Sequence, residues 1–374
     1  MAQIVARGTD TWLVRVSMGV DRSGKRVYHN KTIHGKKRDA ERYARLIESE
    51  RDNGTYVQPT KQKLEEYLDQ WLQEYAQKRV SARTFKDYRS MMERHVYPRM
   101  GHEKLTEVQN MPMACQKLIN EVESNSGVRT AQYVHMVFKQ ALAQALKLGL
   151  IARNPMELVD RPRDQKKTMM AMSQTDVKQF LGAAEGNRYF AFFALLIDTG
   201  MRPSEAMALR WEDVDLERRV IYVQHSLERD ADGWSLKEPK TNKSRRSVPV
   251  TAGVARLLQQ QKREQAERRL QSGAVNEDHG FVFTARNGEP LELHNVVNRY
   301  FKPILKKAGL SSDFRLYDLR HTCATLLLSA GENPKIIAER LGHASVTMTL
   351  DRYSHVLPDM QQGAVSKMEN MLFA

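Results

Sequence analysis

Residues 314–345, "FRLYDLRHTCATLLLSAGENPKIIAERLGHAS", predict two helices and the turn between them. The first helix ends before Gly331, and the second begins at Pro334, since proline favours the first turn of a helix. Tyr317 and Arg320 could lie on one face of the first helix. The pattern is therefore helix, turn and helix, with bulky polar residues on the first helix.

The segment that follows, "LGHASVTMTLDRYSH" (residues 341–355), contains two further candidates for chemistry, His343 and Tyr353. Most tyrosines contribute contact area and one hydrogen bond. On this segment alone, Tyr353 is better explained as a packed aromatic than as a nucleophile, so the rest of the sequence has to decide between the two roles.

Charge indicates the class of partner. The 374 residues carry a formal net charge of +14 and a pI near 9.6, which favour a polyanion, nucleic acid before anionic membrane. Of that excess, +11 lies in the first 167 residues, which contain 31 Lys and Arg against 20 Asp and Glu. A DNA-gripping region is expected there, and a merely solvated basic surface is the alternative.

Cysteine usage and hydropathy indicate the cellular compartment. Cys115 and Cys323 match no metal-ligand spacing and indicate a reducing environment. The longest apolar run, "AFFALLI" (residues 191–197), is too short to cross a bilayer, and the N-terminal stretch lacks the apolar region of a signal peptide. We expect a cytoplasmic protein without membrane partners.

The order of elements predicts a multidomain fold, mostly α with β. Residues 1–58 predict a short β-sheet followed by a helix, and residues 59–160 predict helices throughout. A polar, basic linker is expected at 161–170, and residues 171–374 predict a mixed α+β domain.

Local signals predict individual elements. Ser81 is expected to cap a helix, and a turn is expected at residues 21–24. "RRVIYVQHSLE" (218–228) and "SRRSVPV" (244–250) alternate like the two strands of a hairpin. "HGFVFTARNGEP" (279–290) predicts another strand and turn.

Two more segments contain candidate site residues. In "DTGMRPSEAMALRW" (198–211), Arg202 precedes a helix that begins at Pro203, so an arginine there could hold a phosphate beside the helix N-terminus. In "KEPKTNKSRRSVPV" (237–250), Lys240 lies in a turn between expected strands. Taken singly, a surface arginine at a helix start is the better explanation of Arg202, and Lys240 is a weak signal because lysines are common in basic turns.

Taken together, the four segments resemble the tyrosine recombinases of the phage-integrase type in order and spacing. The family's TG-x-R-x-x-E segment is matched by Thr199, Gly200, Arg202 and Glu205, and its hairpin lysine corresponds best to Lys240. Its "DLRHT" motif is matched around Arg320, and its "LGH" followed by a tyrosine is matched by His343 and Tyr353. The resemblance covers nearly the whole chain.

The resemblance implies a site-specific DNA recombinase that requires neither ATP nor a metal or other cofactor. Tyr353 would attack a DNA phosphorus atom, leaving a 3′-phosphotyrosine and a free 5′-hydroxyl. Arg202, Arg320 and His343 would stabilise the charge that gathers on the phosphate oxygens. Lys240 would protonate the departing 5′-oxygen. In this context the nucleophile interpretation of Tyr353 is favoured.

One position departs from the family pattern. The usual histidine three residues before the second arginine is Tyr317 here. A phenol, with a reference pKa near 10, does not readily exchange a proton at neutral pH, so the acid-base role of that position is in doubt. His321 follows Arg320, but neighbouring helical residues point in different directions, and we do not expect His321 to substitute.

The resemblance also implies partners. Residues 1–58 would bind arm-type DNA sites, residues 59–160 would form a SAM-like core-binding domain, and residues 171–374 would form the catalytic domain. The DNA is expected to be double-stranded, with core and arm attachment sites, and the protein is expected to form a tetramer on it and to exchange strands through a Holliday junction. An excisionase or a DNA-bending host protein would be a further partner, and the product would be integration or excision of a mobile element.

Three other functions remain as alternatives. Carboxylates of "WEDVDLE" (211–217) could hold metal ions in a nuclease or transposase, although a helix end and turn before a strand explains them better. The helix-turn-helix pattern could belong to a DNA-binding regulator without catalysis. A type IB topoisomerase would share the chemistry, but the N-terminal β-then-α segment favours an integrase.

Overall fold

Alternating residues of the first strands build a sheet with one covered face. The computed structural model describes residues 2–20, 24–53, 56–57, 60–164, 169–230, 233–238, 245–272, 279–353, 365 and 368–373. The first elements are β1 (Gln3–Gly8), β2 (Thr11–Val20), β3 (Arg26–His34) and α1 (Lys37–Asp52). The strands pair antiparallel in the order β1-β2-β3.

The two faces of this sheet differ in character. Val14 and Val16 of β2 are fully buried with apolar residues of α1. Arg15, between them, is exposed and pairs with Gln3 on one side and Asn30 on the other. Since side chains alternate across a strand, this polar row lies on the face opposite α1. The turn predicted at residues 21–24 falls mostly outside the described residues.

Helices follow up to residue 147, as predicted. They are α2 (Leu64–Trp71), α3 (Ala82–Met91), α4 (Tyr97–Met100), α5 (Leu105–Val108), α6 (Pro112–Ser126) and α7 (Val128–Lys147), with π-helical turns at Leu72–Ala76 and Met92–Val96. Ser81 caps α3 as expected, since its side chain accepts from the backbone N–H of Thr84 at 3.3 Å. Apolar faces of these helices form one core, which includes Leu68, Phe138 and Leu142.

The chain forms two compact units, Met1–Lys166 and Lys167–Ala374. The described part of the predicted linker, residues 161–164 and 169–170, contains no helix or strand. None of the described helices is both long enough and apolar enough to span a membrane.

The second unit starts with helices, continues with short strands and ends with helices. Its helices are α8 (Gln174–Ala184), α9 (Phe190–Thr199), α10 (Pro203–Met207), α11 (Ala252–Ser272), α12 (Leu293–Val296), α13 (Lys302–Lys307), α14 (Asp318–Ser329), α15 (Pro334–Leu341) and α16 (Val346–Tyr353). Its strands are β4 (Val214–Asp215), β5 (Val220–Val223), β6 (Ser226–Asp230), β7 (Gly233–Lys237) and β8 (Arg246–Pro249). The apolar helix α9 is buried along almost its whole length and lies at the centre of the core.

The strands depart from the prediction in two places. β5 and β8 pair antiparallel, as predicted for the two segments, but β6 and β7 form a second two-stranded sheet between them in the sequence, so the connection is longer than a hairpin turn. The strand predicted at residues 279–290 is also wrong, because its described residues form only isolated bridges, Arg210 with Phe281 and Thr284 with Pro290. The segment is nevertheless buried at Phe281 and Phe283, which explains its apolar pattern.

The predicted helix-turn-helix is confirmed. α14 ends at Ser329, Gly331 has a φ of 82°, and α15 begins at Pro334 with Asn333 as its N-cap. The side-chain oxygen of Asn333 accepts from the backbone N–H of Lys335 at 2.8 Å. This turn brings α15 back against α14, and α16 packs against α15.

Candidate active site

Arg202 lies where an apolar helix ends and a short helix begins. α9 ends at Gly200, whose φ of 64° is in the left-handed region that glycine tolerates, and Pro203 begins α10. Nη1 of Arg202 donates to Oε1 of Glu205 at 2.6 Å, and its backbone N–H donates to Oε2 at 3.0 Å. Burial opposes the charge of Arg202, but the Glu205 carboxylate outweighs it and raises the pKa. The guanidinium is thus charged and held in place, while 32% of the side chain stays exposed.

Glu205 is buried between two arginines. Nη2 of Arg246, on β8, donates to its Oε2 at 2.9 Å, and Nε of Arg246 donates to the carbonyl of Arg340 at 2.7 Å. Burial by itself would raise the pKa of Glu205, yet Arg246 and then Arg202 hold it below its usual range. Glu205 therefore links the strand that ends the β region to the start of α10.

Arg320 is the largest fully buried side chain of the described residues, with 1% of its surface exposed. Its Nη1 donates to the carbonyl of Gly200 at 2.8 Å, whereas its buried Nη2 has no hydrogen-bond partner among the described residues. Burial lowers the pKa of Arg320 to about 10, and repulsion from Arg202 contributes. A buried, charged donor with nothing to donate to is costly unless an anion completes it.

Tyr317 lies at the start of α14, next to both arginines. Its interaction with the Arg202 side chain adds to the raised pKa of Arg202, and it also favours the charge of Arg320. The Tyr317 ring meets that of His321 edge-on, with centroids 5.3 Å apart. At 36% exposure, Tyr317 is the accessible aromatic of this group.

Tyr353 ends α16 and is almost completely buried. Its side chain is 1% exposed and packs with apolar residues of α14 and α15. The apolar neighbours are Ala324, Leu328, Ile337 and Leu341. Its hydroxyl lies 2.8 Å from Nδ1 of His321, which is itself 4% exposed. Both descriptions of Tyr353 weighed from the sequence are thus compatible with its position: it is a packed aromatic, and it has a specific polar partner.

His321 has a partner that the sequence did not predict. It points in a different direction from Arg320, as helical neighbours do, but that direction leads to the hydroxyl of Tyr353. His321 shares a helical face with Tyr317, four residues earlier, and α16 packs on this face. The contact of His321 with Tyr353 was not predicted, because the sequence of α14 alone does not reveal where α16 returns.

His343 is held between α15 and α16. Gly342 ends α15 with a φ of 68°, and a Cβ at that position would lie 3.0 Å from Nη1 of Arg246. His343 follows, 8% exposed, with Nδ1 2.7 Å from Oγ1 of Thr349 on α16. The LGH motif thus has a structural reason for its glycine, since a larger residue would meet the Arg246 side chain.

Of the six residues predicted for the site, five are described. Arg202, Tyr317 and Arg320 interact directly, Tyr317 contacts the partner of Tyr353, and His343 contacts the helix of Tyr353. Lys240 lies outside the described residues, between β7 and β8 in the sequence.

Sequence reasoning missed the residues that hold the site together. Glu205 was part of a matched motif but had no assigned role, although its position three residues after Arg202 is the spacing of a capping box. Arg246 and Arg340 lie in segments whose helix or strand pattern gave no sign of these contacts. Such residues are defined by tertiary contacts, which no local signal in the sequence reports.

The segment 211–217, whose carboxylates could have held metal ions, has a structural role instead. Trp211–Asp213 forms a 3-10 turn before β4, as the preferred interpretation of this segment predicted. Oδ1 of Asp213 accepts from the Gln224 amide at 3.0 Å. Within the part of the chain that the structure describes, no three His, Cys, Asp or Glu residues are grouped so that they could hold a metal ion.

Comparison with known proteins gives two family matches. Residues 163–360 match the phage integrase family, and residues 63–122 match the phage integrase N-terminal SAM-like domain. The whole chain also has relatives of similar length. It is 26% identical to a tyrosine recombinase XerC-like protein of Caldanaerobacter subterraneus subsp. tengcongensis, over 98% of both chains. It is 28% identical to an integrase of Streptomyces ambofaciens, over 95% of this chain and 92% of that protein.

Solved structures share the fold. The Tn1549 transposon integrase in complex with a circular intermediate DNA matches with a TM-score of 0.68 and 24% identity, over 82% of this chain and 98% of that one. A lambda integrase dimer bound to a COC′ core site matches with a TM-score of 0.59 and 18% identity, over 78% of this chain and 95% of that one. The predicted fold class, multidomain and mostly α with a mixed α+β domain of tyrosine-recombinase type, is confirmed. The matched family model spans more than half of the chain, and the protein belongs to the phage integrase family of tyrosine recombinases.

Proposed function

We propose that this recombinase cuts DNA with Tyr353 at a phosphate held by Arg202 and Arg320. As a member of the phage integrase family, the protein cleaves and rejoins DNA at specific sites. The observation that carries the residue assignment is the buried Nη2 of Arg320, which lacks a partner among the described residues and lies beside the charged Arg202. Two guanidiniums in this arrangement match the planar, bidentate contacts that phosphate prefers.

The reaction keeps the energy of the phosphodiester bond. Attack by Tyr353 forms a 3′-phosphotyrosine and releases a 5′-hydroxyl, and a hydroxyl of the partner strand later reverses the step. Arg202 and Arg320 neutralise the charge that develops on the non-bridging oxygens, and His343 adds a donor. Lys240 protonates the departing 5′-oxygen. No step of this scheme requires ATP or a cofactor.

Three roles divide along the chain, two in the first unit and one in the second. We assign arm-site binding to residues 1–58, core-site binding to residues 59–160 and catalysis to residues 171–374, with a linker at 161–170. The polar sheet face of Gln3, Arg15 and Asn30 supports the first assignment, because strands of a small sheet can enter a DNA major groove.

The stoichiometry of strand exchange suggests a tetramer. Recombination of two duplexes through a Holliday junction breaks four strands, and each chain supplies one Tyr353, so four copies are needed. Relatives include the ICEBs1 integrase of Bacillus subtilis and the Tn916 transposase of Enterococcus faecalis. We therefore propose that the substrate is a mobile element, integrated and excised in the cytoplasm of a bacterial host on the nucleoid, with an excisionase or a DNA-bending host protein as accessory partner.

A non-enzymatic regulator is the less favoured function. In a helix-turn-helix regulator the second helix, here α15, would read the bases, and that function gives no role to Arg320, His321 and Thr322, which are buried in α14. This burial favours an internal role for these residues over contact with bases.

The test is recombination in the absence of divalent metal. Purified protein is mixed with two DNA fragments in buffer containing EDTA and no ATP. One fragment contains the attachment site of the element, and the other contains the attachment site of its target. Recombinant products are expected. A requirement for magnesium in strand cleavage would overturn the proposal and favour a metal-dependent nuclease.

A further inference from the structure

The phenol of Tyr353 has to lose its proton to become a nucleophile. The reference pKa of tyrosine is about 10, so at neutral pH the hydroxyl is protonated and a base is needed as the bond to phosphorus forms. Tyr317, which occupies the position where the family usually has a histidine, is itself a phenol and cannot accept that proton. The chain therefore has to supply the base from another residue.

The structure places an imidazole at the required atom. Nδ1 of His321 is 2.8 Å from the hydroxyl oxygen of Tyr353, within the range expected for a base and the proton that it removes. The two rings meet edge-on, with centroids 5.9 Å apart. Tyr353 and His321 are 1% and 4% exposed, so bulk water does not compete for the hydroxyl.

The other imidazole of the site is oriented differently. Nδ1 of His343 is 2.7 Å from Oγ1 of Thr349, on the first part of α16. His343 thus uses that nitrogen for a hydrogen bond to α16. His321 lies between Tyr317 and Tyr353, with ring contacts to both.

We infer that His321 is a catalytic residue whose Nδ1 accepts the proton of Tyr353 during DNA cleavage. The inference rests on the proposed function, in which Tyr353 is the nucleophile. His321 starts as the neutral imidazole with its proton on Nε2. As the Oη–P bond forms, the Oη–H bond breaks and Nδ1–H forms, while the P–O5′ bond breaks and the 5′-oxygen takes a proton from a separate acid. In rejoining, the imidazolium returns the proton to the leaving phenolate.

Two variants test the role of the imidazole. His321→Asn and His321→Gln remove the base but keep a polar side chain, and single-turnover cleavage of a nicked suicide substrate is measured with saturating protein. Cleavage is expected to slow by about 10²–10⁴-fold, the usual contribution of a general base. DNA affinity and melting temperature should stay close to those of the parent.

A matched control replaces a buried imidazole elsewhere. His135 is 6% exposed and contacts the carbonyl of Val159 in the first unit. His135→Asn should cleave at the parental rate per folded molecule. If the His321 variants cleave within a few-fold of the parent, or faster because the imidazole only restrains Tyr353, the inference is wrong.

A second measurement separates proton transfer from packing. Fluorotyrosine placed at position 353 has a more acidic phenol, which needs less help from a base. In the His321→Asn background this substitution should recover at least tenfold in rate, whereas in Arg202→Lys it should not. Equal effects in the two backgrounds would contradict the assignment. The comparison also holds if one of the His321 variants folds poorly, since each rate is referred to the same background.

A third measurement identifies which proton is moved. A substrate with a 5′-bridging sulfur has a leaving group that needs no acid, so a defect in the leaving-group acid disappears with it. The His321→Asn defect should persist. Its disappearance would assign His321 to the leaving group and overturn the inference.

The behaviour of the parent protein separates a failure of the proposed function from a failure of the inference about His321. If the parent forms no adduct at Tyr353, the proposed function fails. If the parent forms that adduct and His321→Asn forms it equally fast, only the inference about His321 fails.

Discussion

The two arginines of the site differ in how they are supported. Arg320 is buried and fixed by the Gly200 carbonyl, whereas Arg202 is one-third exposed and paired with Glu205. A guanidinium that is already desolvated and oriented interacts strongly with developing charge, because it does not need to reorganise during the reaction. Arg202 can in addition meet the DNA from solvent.

Removing either arginine should slow chemistry far more than binding. Arg202→Ala and Arg320→Ala are each expected to cleave a suicide substrate several hundred-fold more slowly, in line with the roughly 10²–10³-fold cost of losing one such donor. Filter binding should show DNA affinity within a few-fold of the parent. Arg218→Ala is the control, since that side chain is 79% exposed in the turn before β5. Parental cleavage by either site variant would remove that arginine from the site.

The buried carboxylate of Glu205 allows a prediction about the free energy of unfolding and its dependence on pH. Glu205→Gln leaves the buried Arg246 without its carboxylate and should lower the free energy of unfolding by about 3 kcal/mol near neutral pH. The pKa of Glu205 is lowered from 4.5, so the folded state gains from its charge above that pH and loses the gain as pH falls through the lowered pKa.

Urea unfolding of the parent and the variant over this range provides the measurement. The difference between the two proteins should be constant above pH 4.5 and shrink below it. A difference that grows on acidification would mean that Glu205 is not charged in the folded protein.

At the level of elements, the ends of two helices set the site. Gly200 ends α9 and Gly342 ends α15, both with positive φ, and each is followed within two residues by a candidate site residue. Each glycine also has a close neighbour, and a Cβ at Gly200 would clash with Cδ2 of Leu341. These two positions combine a backbone requirement with a packing requirement.

Gly200→Ala should be more destabilising than a backbone cost alone. Gly309 is the control because it has a φ of 70° and nothing within 4 Å of the added Cβ. Gly309→Ala should cost about 1 kcal/mol of unfolding free energy. Gly200→Ala adds the contact with Leu341 and should cost about 3 kcal/mol in total, since overpacking typically costs a further 1–3 kcal/mol. Equal costs in thermal or chemical unfolding would show that the neighbour yields freely.

The elements also show what a sequence can and cannot predict. The starts of α3, α10 and α15 were predictable because Ser81, Pro203 and Pro334 act on their own first turn. The sheet of β6 and β7 was missed, and a strand was wrongly assigned at 279–290, because burial there comes from distant parts of the chain.

The candidate site divides in the same way. Arg202, Arg320 and Tyr353 could be proposed from motifs, since the family resemblance supplies their order. The contact of His321 with Tyr353 spans 32 residues and that of Arg246 with Glu205 spans 41, so both depend on how α16 and β8 return to the site. A sequence pattern gives no direct information about such returns.

At the scale of the whole molecule, the basic charge is concentrated in residues 1–167. The three-stranded sheet and α1 have an apolar core of their own, which includes Val14, Ala40 and Ile47. This supports the proposal that the segment binds DNA separately from the catalytic unit, with long-range attraction from its charge.

Arm-site binding should be separable from cleavage. Deleting residues 1–58 is expected to abolish footprints on arm repeats, while core DNA is still cleaved. Arg15→Ala in the full chain should weaken the same footprints, because Arg15 lies on the polar sheet face. Lys31→Ala is the control, since Lys31 pairs with Val14 and so lies on the face that carries Val14. Arm footprints that survive the deletion would refute this domain assignment.

Trapping the covalent bond between Tyr353 and DNA would identify the nucleophile. Parent and Tyr353→Phe are incubated with a suicide substrate containing the core site, and adducts are resolved by denaturing electrophoresis and mapped by peptide sequencing. The parent should yield an adduct at Tyr353, and Tyr353→Phe should yield none while binding the duplex within a few-fold of the parent. An adduct that persists in Tyr353→Phe, or that maps to another tyrosine in the parent, would contradict the account.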